Sequence, residues 1–235
     1  MNQVRNIFVR QVKRFARFVM RISLHLGVLR LLPRNPHVLE NHAGCAPQGK
    51  GRLCVFAGFS AAGEIADYVF HNLAALNASG FDVIFVTTAA KINAPDLARL
   101  TKICLRVMLR QNTGYDFGSW KAGLFHSGVE LQHYQRLLLT NDSYYGPLYP
   151  WAEVLSKAST DLFGITDSYG IAYHLMSYFV LYNEKILHSE QFRKYWQDVR
   201  MIPTILKTLI IYAYEVGLSQ KFQKDGFSVS AYCPE

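Results

Sequence analysis

Strand and helix signals alternate from Arg52 onward, and the strands among them are continuous apolar runs. The 235-residue chain is therefore predicted to be an α/β protein, with a mostly parallel sheet covered by helices on both faces. Half of its residues are apolar and 14% are aromatic, enough to bury the core of one large domain. Its charge is segregated: residues 1–40 hold eight Lys and Arg against one acid, Glu40, a net of +7 that leaves +1 for the other 195 residues. A nucleic-acid-binding surface would spread basic charge through the fold, so nucleic acid is not an expected partner.

Residues 1–32 come first. At about 100° per residue, Phe8, Val12, Phe15, Val19, Ile22, Leu26 and Leu29 fall on one helical face, and Arg10, Lys13, Arg14, Arg17 and Arg21 fall on the other. This is the pattern of an amphipathic helix lying in an anionic membrane interface, and it equally suits a helix docked on its own domain or on a partner. Arginine interrupts the apolar stretches too often for a bilayer span. With no uninterrupted apolar core and no small-residue cleavage site, a secretory signal is not expected either. Pro33 and Pro36 end the helix, and residues 33–51, with Gly44, Pro47, Gly49 and Gly51, read as a linker.

The domain is expected over residues 52–235. "RLCVFAGFS" is a buried strand and "GEIADYVFHNLAALNASG" a helix stopped by Gly80. "FDVIFVTTA" is a second strand, "APDLARLTKI" a helix with Pro95 in its first turn, and "CLRVMLRQN" a third strand. A helix beginning near Tyr115 and the strand "YQRLLLTND" follow. Cys45, Cys54, Cys104 and Cys233 lie far apart with no Cys-x-x-Cys pair, so neither a zinc site nor a disulfide framework is indicated, and reduced, cytosolic thiols are expected.

Ligands of such sheets sit beyond the carboxyl ends of the strands. Two strand ends are rich in polar groups: "RQNTGYDFGSWKAGL", residues 110–124, and "TNDSYYGPLYP", residues 140–150. In the first, Asn112, Gly114, Asp116, Gly118 and Lys121 combine a flexible backbone, an acid and a base; glycines and a helix N-terminus suit an anion, and the same spacing suits a structural turn. In the second, Asp142 ends an apolar strand, as a ligand or as a turn or capping residue.

These two stretches, with "FGITDSY", "YHLMSYFVLYN" and "YEVGLSQKFQKDGF", resemble in order and spacing the rhamnan synthesis protein F family of bacterial surface-polysaccharide assembly. The resemblance covers about residues 52–232. The chain is also similar to inverting glycosyltransferases of the GT-A fold: Asn112-Thr113-Gly114 and Lys121-Ala122-Gly123 match Asn-x-Gly blocks, the second with Lys for Asn. Thr140-Asn141-Asp142 matches Asp-x-Asp with its first acid lost, and Tyr214-Glu215-Val216-Gly217-Leu218 matches Glu-Asp-x-Asp-Leu.

The resemblance implies a GT-A-like, Rossmann-like fold and transfer of a sugar, rhamnose being the one the family suggests, from a nucleotide-sugar donor to a lipid-linked glycan acceptor with inversion. It puts Glu215 at the catalytic base. An acid in so apolar a run as "PTILKTLIIYAYEVGLSQKF" is expected to have a raised pKa, although the run also fits a core helix with an exposed acidic stripe. Asp142 would hold Mg²⁺ or Mn²⁺, with Lys121-assisted, metal-light catalysis as the competing case. Phe59, Ser60, Asn112, Gly114, Asp116, Lys121 and Asn141 are expected at the donor. Tyr144, Tyr145, His174, Ser177 and Tyr178 are expected at the acceptor, with His174 also suiting a core position and Trp120 expected to pack on the sheet. A cytoplasmic protein, peripheral at the inner face of the plasma membrane, would meet such an acceptor. The alternative is a noncatalytic glycan-binding or scaffold subunit that keeps the fold.

Overall fold

The structure, a computed structural model, describes residues 27–46, 49 and 51–235. Most of the basic helix expected over residues 1–32 therefore lies outside the described residues. A short 3-10 turn, Val28–Leu31, is described at its end, with Leu29 and Leu32 against the core.

The sheet contains β1 (Val38–Ala43), β2 (Arg52–Gly58), β3 (Phe81–Thr87), β4 (Arg106–Arg110), β5 (Arg136–Asn141), β6 (Leu162–Ser168), β7 (His174–Leu175), β8 (Phe179–Asn183) and β9 (Val229–Cys233). Their order is β1-β4-β3-β2-β5-β8-β6-β7, with β9 also on β6. The centre is parallel: β2 pairs β3 with Phe56 opposite Phe85, and β5 with Phe56 opposite Thr140. β8 runs antiparallel to both β5 and β6, and β1 runs antiparallel to β4. The α/β fold with a mixed, mostly parallel sheet is thus as the sequence predicts.

Strand alternation sends side chains to two cores. Cys54, Phe56 and Phe85 face α1 (Asp67–Ala78), α2 (Ala94–Ile103) and α4 (Trp151–Ser156). Val55, Ile84 and Leu139 face α3 (Tyr115–His126), α5 (Glu184–Leu187), α6 (Glu190–Asp198) and a C-terminal helical run. That run comprises α7 (Lys207–Ile210), a π-helical segment (Ile211–Val216) and α8 (Gly217–Lys224). Trp120 packs on the sheet as expected, and its indole N–H donates to the Thr140 carbonyl at 2.9 Å.

The linker expected over residues 33–51 needs correction, because it contains β1. Val-Leu-Glu-Asn-His-Ala is only half apolar, and four of its six residues are exposed with no alternation, so no local periodicity marks it as a strand. It is ordered by the open edge of β4, which pairs Asn41 with Met108 and His42 with Val107. The Gly44 N–H then donates to the Leu105 carbonyl at 2.8 Å, where a Cβ would fall 1.7 Å from the Cys104 oxygen.

Candidate functional site

The parallel strands β2, β4 and β5 end on one edge of the sheet, and their following residues meet there. From β5, the Asp142 Oδ2 accepts the Phe59 N–H just beyond β2 at 2.7 Å. The Asp142 carbonyl accepts the Tyr68 hydroxyl of α1 at 2.8 Å. Burial is the main cause that raises the Asp142 pKa, with the Phe59 hydrogen bond opposing it. Phe59, Ser60, Glu64, Tyr68 and Asp142 line a cleft of about 100 Å³.

Asn141 joins β5 to the loop after β4. Its amide donates to Asp116 Oδ2 at 2.8 Å, while its oxygen accepts from the Ser143 N–H at 3.1 Å and hydroxyl at 2.6 Å. Burial pushes the Asp116 carboxyl up to about 6. The Asn141 hydrogen bond and Arg110 hold it down, and the carboxylates of Asp142 and Glu215 raise it further. Asp116 thus lies within electrostatic reach of both Asp142 and Glu215.

The loop carrying Asp116 is built around Arg110, which sequence reasoning missed. The side chain is 1% exposed and donates to the Ser119 hydroxyl and to the carbonyls of Gln111, Thr113 and Tyr115. Burial pushes its guanidinium down to about 10 against the pull of Asp116. A cation closing an apolar strand just before Asn-Thr-Gly was the available signal. Gly114 takes φ 76° and donates its N–H to the Ile202 carbonyl at 2.7 Å, and Tyr115 takes φ 48°. At Gly118 a Cβ would lie 2.3 Å from the Thr113 oxygen, so the helix start can close on the loop only without one.

Glu215 lies in the π-helical segment, and its Oε1 accepts the Ser177 N–H at 3.0 Å and hydroxyl at 2.9 Å. A π-turn displaces side chains from the regular helical face and is frequent at functional sites.

Asn112 is exposed on the loop above α3, and Ser60 is half-buried in the Asp142 cleft. Tyr144, Tyr145 and Tyr178, with Pro147, Tyr149 and Trp151, line an apolar groove of about 340 Å³ beside the β5 end. Tyr178 shares a hydrogen bond with Thr166 at 2.9 Å, and Thr140 holds both the Tyr144 hydroxyl and the Tyr178 carbonyl.

Two expected residues are committed elsewhere. Lys121 is buried and donates to the carbonyls of Gln197 and Val199 at 2.8 and 2.7 Å, capping the end of α6. Burial pushes its ammonium down to about 8. It sits midway along α3, so its side chain reaches the neighbouring helix instead of the strand-end cluster of Asp116, Asn141 and Asp142. His174 is buried with Nδ1 2.8 Å from the Ala172 carbonyl, the arrangement of a core histidine.

Among the described residues, no group of three or more His, Cys, Asp or Glu could hold a metal with protein ligands alone. A Mg²⁺ shared with a pyrophosphate needs only one or two carboxylates. Asp142 and Asp116 meet that smaller requirement in number, as two carboxylates at neighbouring strand ends joined through the Asn141 amide.

The family described as "Rhamnan synthesis protein F" matches residues 83–233. The uncharacterized protein y4gN of Sinorhizobium fredii is 28% identical over 179 residues, covering 73% of this chain and 46% of that protein. The virulence protein VirA of Vibrio anguillarum is 31% identical over 137 residues, covering 57% of this chain and 44% of that protein. The chain thus spans a little under half the length of these relatives. A solved structure assigned as a nucleotide-diphospho-sugar transferase from Desulfovibrio desulfuricans is 14% identical, with 80% of each chain covered and a TM-score of 0.38.

Proposed function

The chain belongs to the rhamnan synthesis protein F family, and from that premise we propose that it is a glycosyltransferase of cell-surface polysaccharide synthesis. It moves a sugar, rhamnose in the reading the family favours, from a nucleotide-sugar donor to a lipid-linked glycan. It works as a peripheral protein at the cytoplasmic face of the membrane, held by the basic arm.

The observation that carries this reading is the meeting of Asp142, Asn141 and Asp116 at the carboxyl ends of parallel strands, with Glu215 within electrostatic reach of Asp116. The donor lies over Phe59, Ser60, Asn112, Gly114 and Asn141. Asp142 and Asp116 would hold Mg²⁺ or Mn²⁺, which when bound neutralises the developing charge of the leaving diphosphate. Glu215 takes the proton of the acceptor hydroxyl. Ser177 holds Oε1, which leaves Oε2 for that proton. The hydroxyl oxygen then bonds the anomeric carbon as the bond to the nucleotide breaks, inverting the configuration. A single base suffices for this direct displacement. The Tyr144, Tyr145 and Tyr178 groove receives the acceptor sugar against its aromatic faces.

Calorimetry with a panel of nucleotide sugars and Mg²⁺, alongside a transfer assay, tests the assignment. Asp142→Ala is expected to lose donor binding. Glu215→Ala is expected to keep it and lose transfer by about a hundred- to ten-thousandfold. Transfer retained in both variants rejects the assigned roles, and a wild-type chain that binds no donor supports the scaffold reading.

A further inference from the structure

We propose that the folded domain itself carries a bilayer-facing patch, formed by Leu31, Ile205 and Leu206 within a ring of Arg30, Arg34 and Lys207, that seats the site mouth on an anionic lipid surface. Ile205 is 90% exposed, Leu31 86% and Leu206 44%, so three large aliphatic side chains face solvent from two adjoining turns.

Two hydrogen bonds bring their turns together. The Met201 N–H donates to the Pro33 carbonyl at 2.8 Å, and the Arg200 guanidinium donates to the Arg30 carbonyl at 3.4 Å. Neither sequence stretch carries an acid nearby: none lies between Asp198 and Glu215, and none precedes Glu40. Exposed Arg30, Arg34 and Lys207 therefore frame the apolar tips with positive charge alone within these stretches. Aliphatic tips ringed by cations complement an anionic bilayer, with the apolar groups entering the acyl boundary and the cations meeting headgroups.

Two further observations fix the occupant. The chain enters this turn from residues 1–26, which hold six Lys and Arg and no acid, so a basic segment emerges at the patch. The patch also borders the site. Tyr115, adjacent to Asp116, donates its hydroxyl to the Thr204 carbonyl at 3.1 Å, and the Lys207 ammonium lies 5.9 Å from the Tyr115 ring centre. Seating this face on a membrane brings the Asp116 loop to the level of a lipid-linked acceptor. The purpose of the patch rests on the proposed function; its binding to lipid does not.

The test uses the full chain with exposed Cys45 and Cys233 replaced by Ser and Ile205→Cys carrying an environment-sensitive fluorophore. The control carries the fluorophore at exposed Lys102→Cys, at the end of α2. Vesicles of phosphatidylcholine with phosphatidylglycerol are expected to blue-shift the label at 205 and leave that at 102 unchanged. Unlabelled Ile205→Glu/Leu206→Glu is expected to sediment with these vesicles on the order of tenfold more weakly than wild type. An unmoved spectrum at 205, or undiminished sedimentation of the double variant, overturns the proposal even if the arm still binds. A shift elicited by another protein but not by vesicles overturns it in favour of a protein partner. Because no readout requires transfer, failure here is distinguishable from failure of the glycosyltransferase reading.

Discussion

The two halves of the sheet hold their acids in different ways. In the parallel half, β2 to β5, each strand is followed by its own covering helix, and β3 is buried along its whole length. Asp142 is fixed by a backbone N–H, and the Asp116 loop by a buried arginine with four acceptors. The other half, antiparallel along β5-β8-β6-β7 with β9 parallel to β6, is assembled from pieces distant in sequence: β7 has two residues, and the Leu175 N–H is satisfied by the Ser219 hydroxyl 44 positions away. There Glu215 is positioned through one serine. The difference teaches that the Asp142–Asp116 end is over-determined and the Glu215 end adjustable. Under the proposed function, a common leaving group can be kept while the acceptor sugar varies.

Arg110→Met should break this contrast most severely. It removes all four hydrogen bonds and leaves loop carbonyls without their donor, at a cost of about 3–5 kcal/mol. The measurement is the urea unfolding midpoint by circular dichroism, with donor affinity recorded on the fraction that folds. A loss no larger than that of a surface substitution would show that the loop does not depend on the arginine, and the contrast between the halves would fall.

Legibility in the sequence follows the same division. β2, α1, β3, α2, β4 and β5 could be read because each is a local run with its own apolar pattern and stop signal. Asp142 and Asn141 could be read because they end such a run. β1 could not, since its polar residues acquire order only from the edge of β4. The π-helical register of Ile211–Val216 depends on packing against β7, so sequence placed Glu215 only through the family resemblance. Lys121 misled because charge type was visible and direction was not: midway along α3, it faces the end of α6. Arg110 was overlooked because a lone cation at a strand end more commonly reaches solvent.

Asp116→Asn sharpens the comparison by titration in EDTA. The folded carboxyl, at about 6 against 3.8 for a free aspartate side chain, binds its proton more tightly than the unfolded one. Folding stability should therefore fall as pH rises from about 4 to about 6 and level off above, by at most about 3 kcal/mol. The asparagine variant lacks this component, so its stability relative to wild type should climb across that interval. Parallel stability-against-pH curves for the two proteins would mean that burial does not raise the Asp116 carboxyl on folding.

Ser177→Ala should produce the smallest effect and probes the adjustable half alone. Glu215 loses the hydroxyl bond at 2.9 Å but keeps the backbone N–H at 3.0 Å, so it stays in place with more freedom. Because the backbone partner is kept, the loss is about 1.5 kcal/mol, the low end for a hydrogen bond to a charged group, and corresponds to a roughly tenfold fall in kcat. Donor affinity and the urea midpoint should hardly move, because Asp142, Asn141 and Arg110 are untouched. Threonine, which restores the hydroxyl, should recover most of the rate. If alanine instead costs as much as Glu215→Ala, Ser177 must contact the acceptor directly, and the acceptor end is as rigidly specified as the donor end.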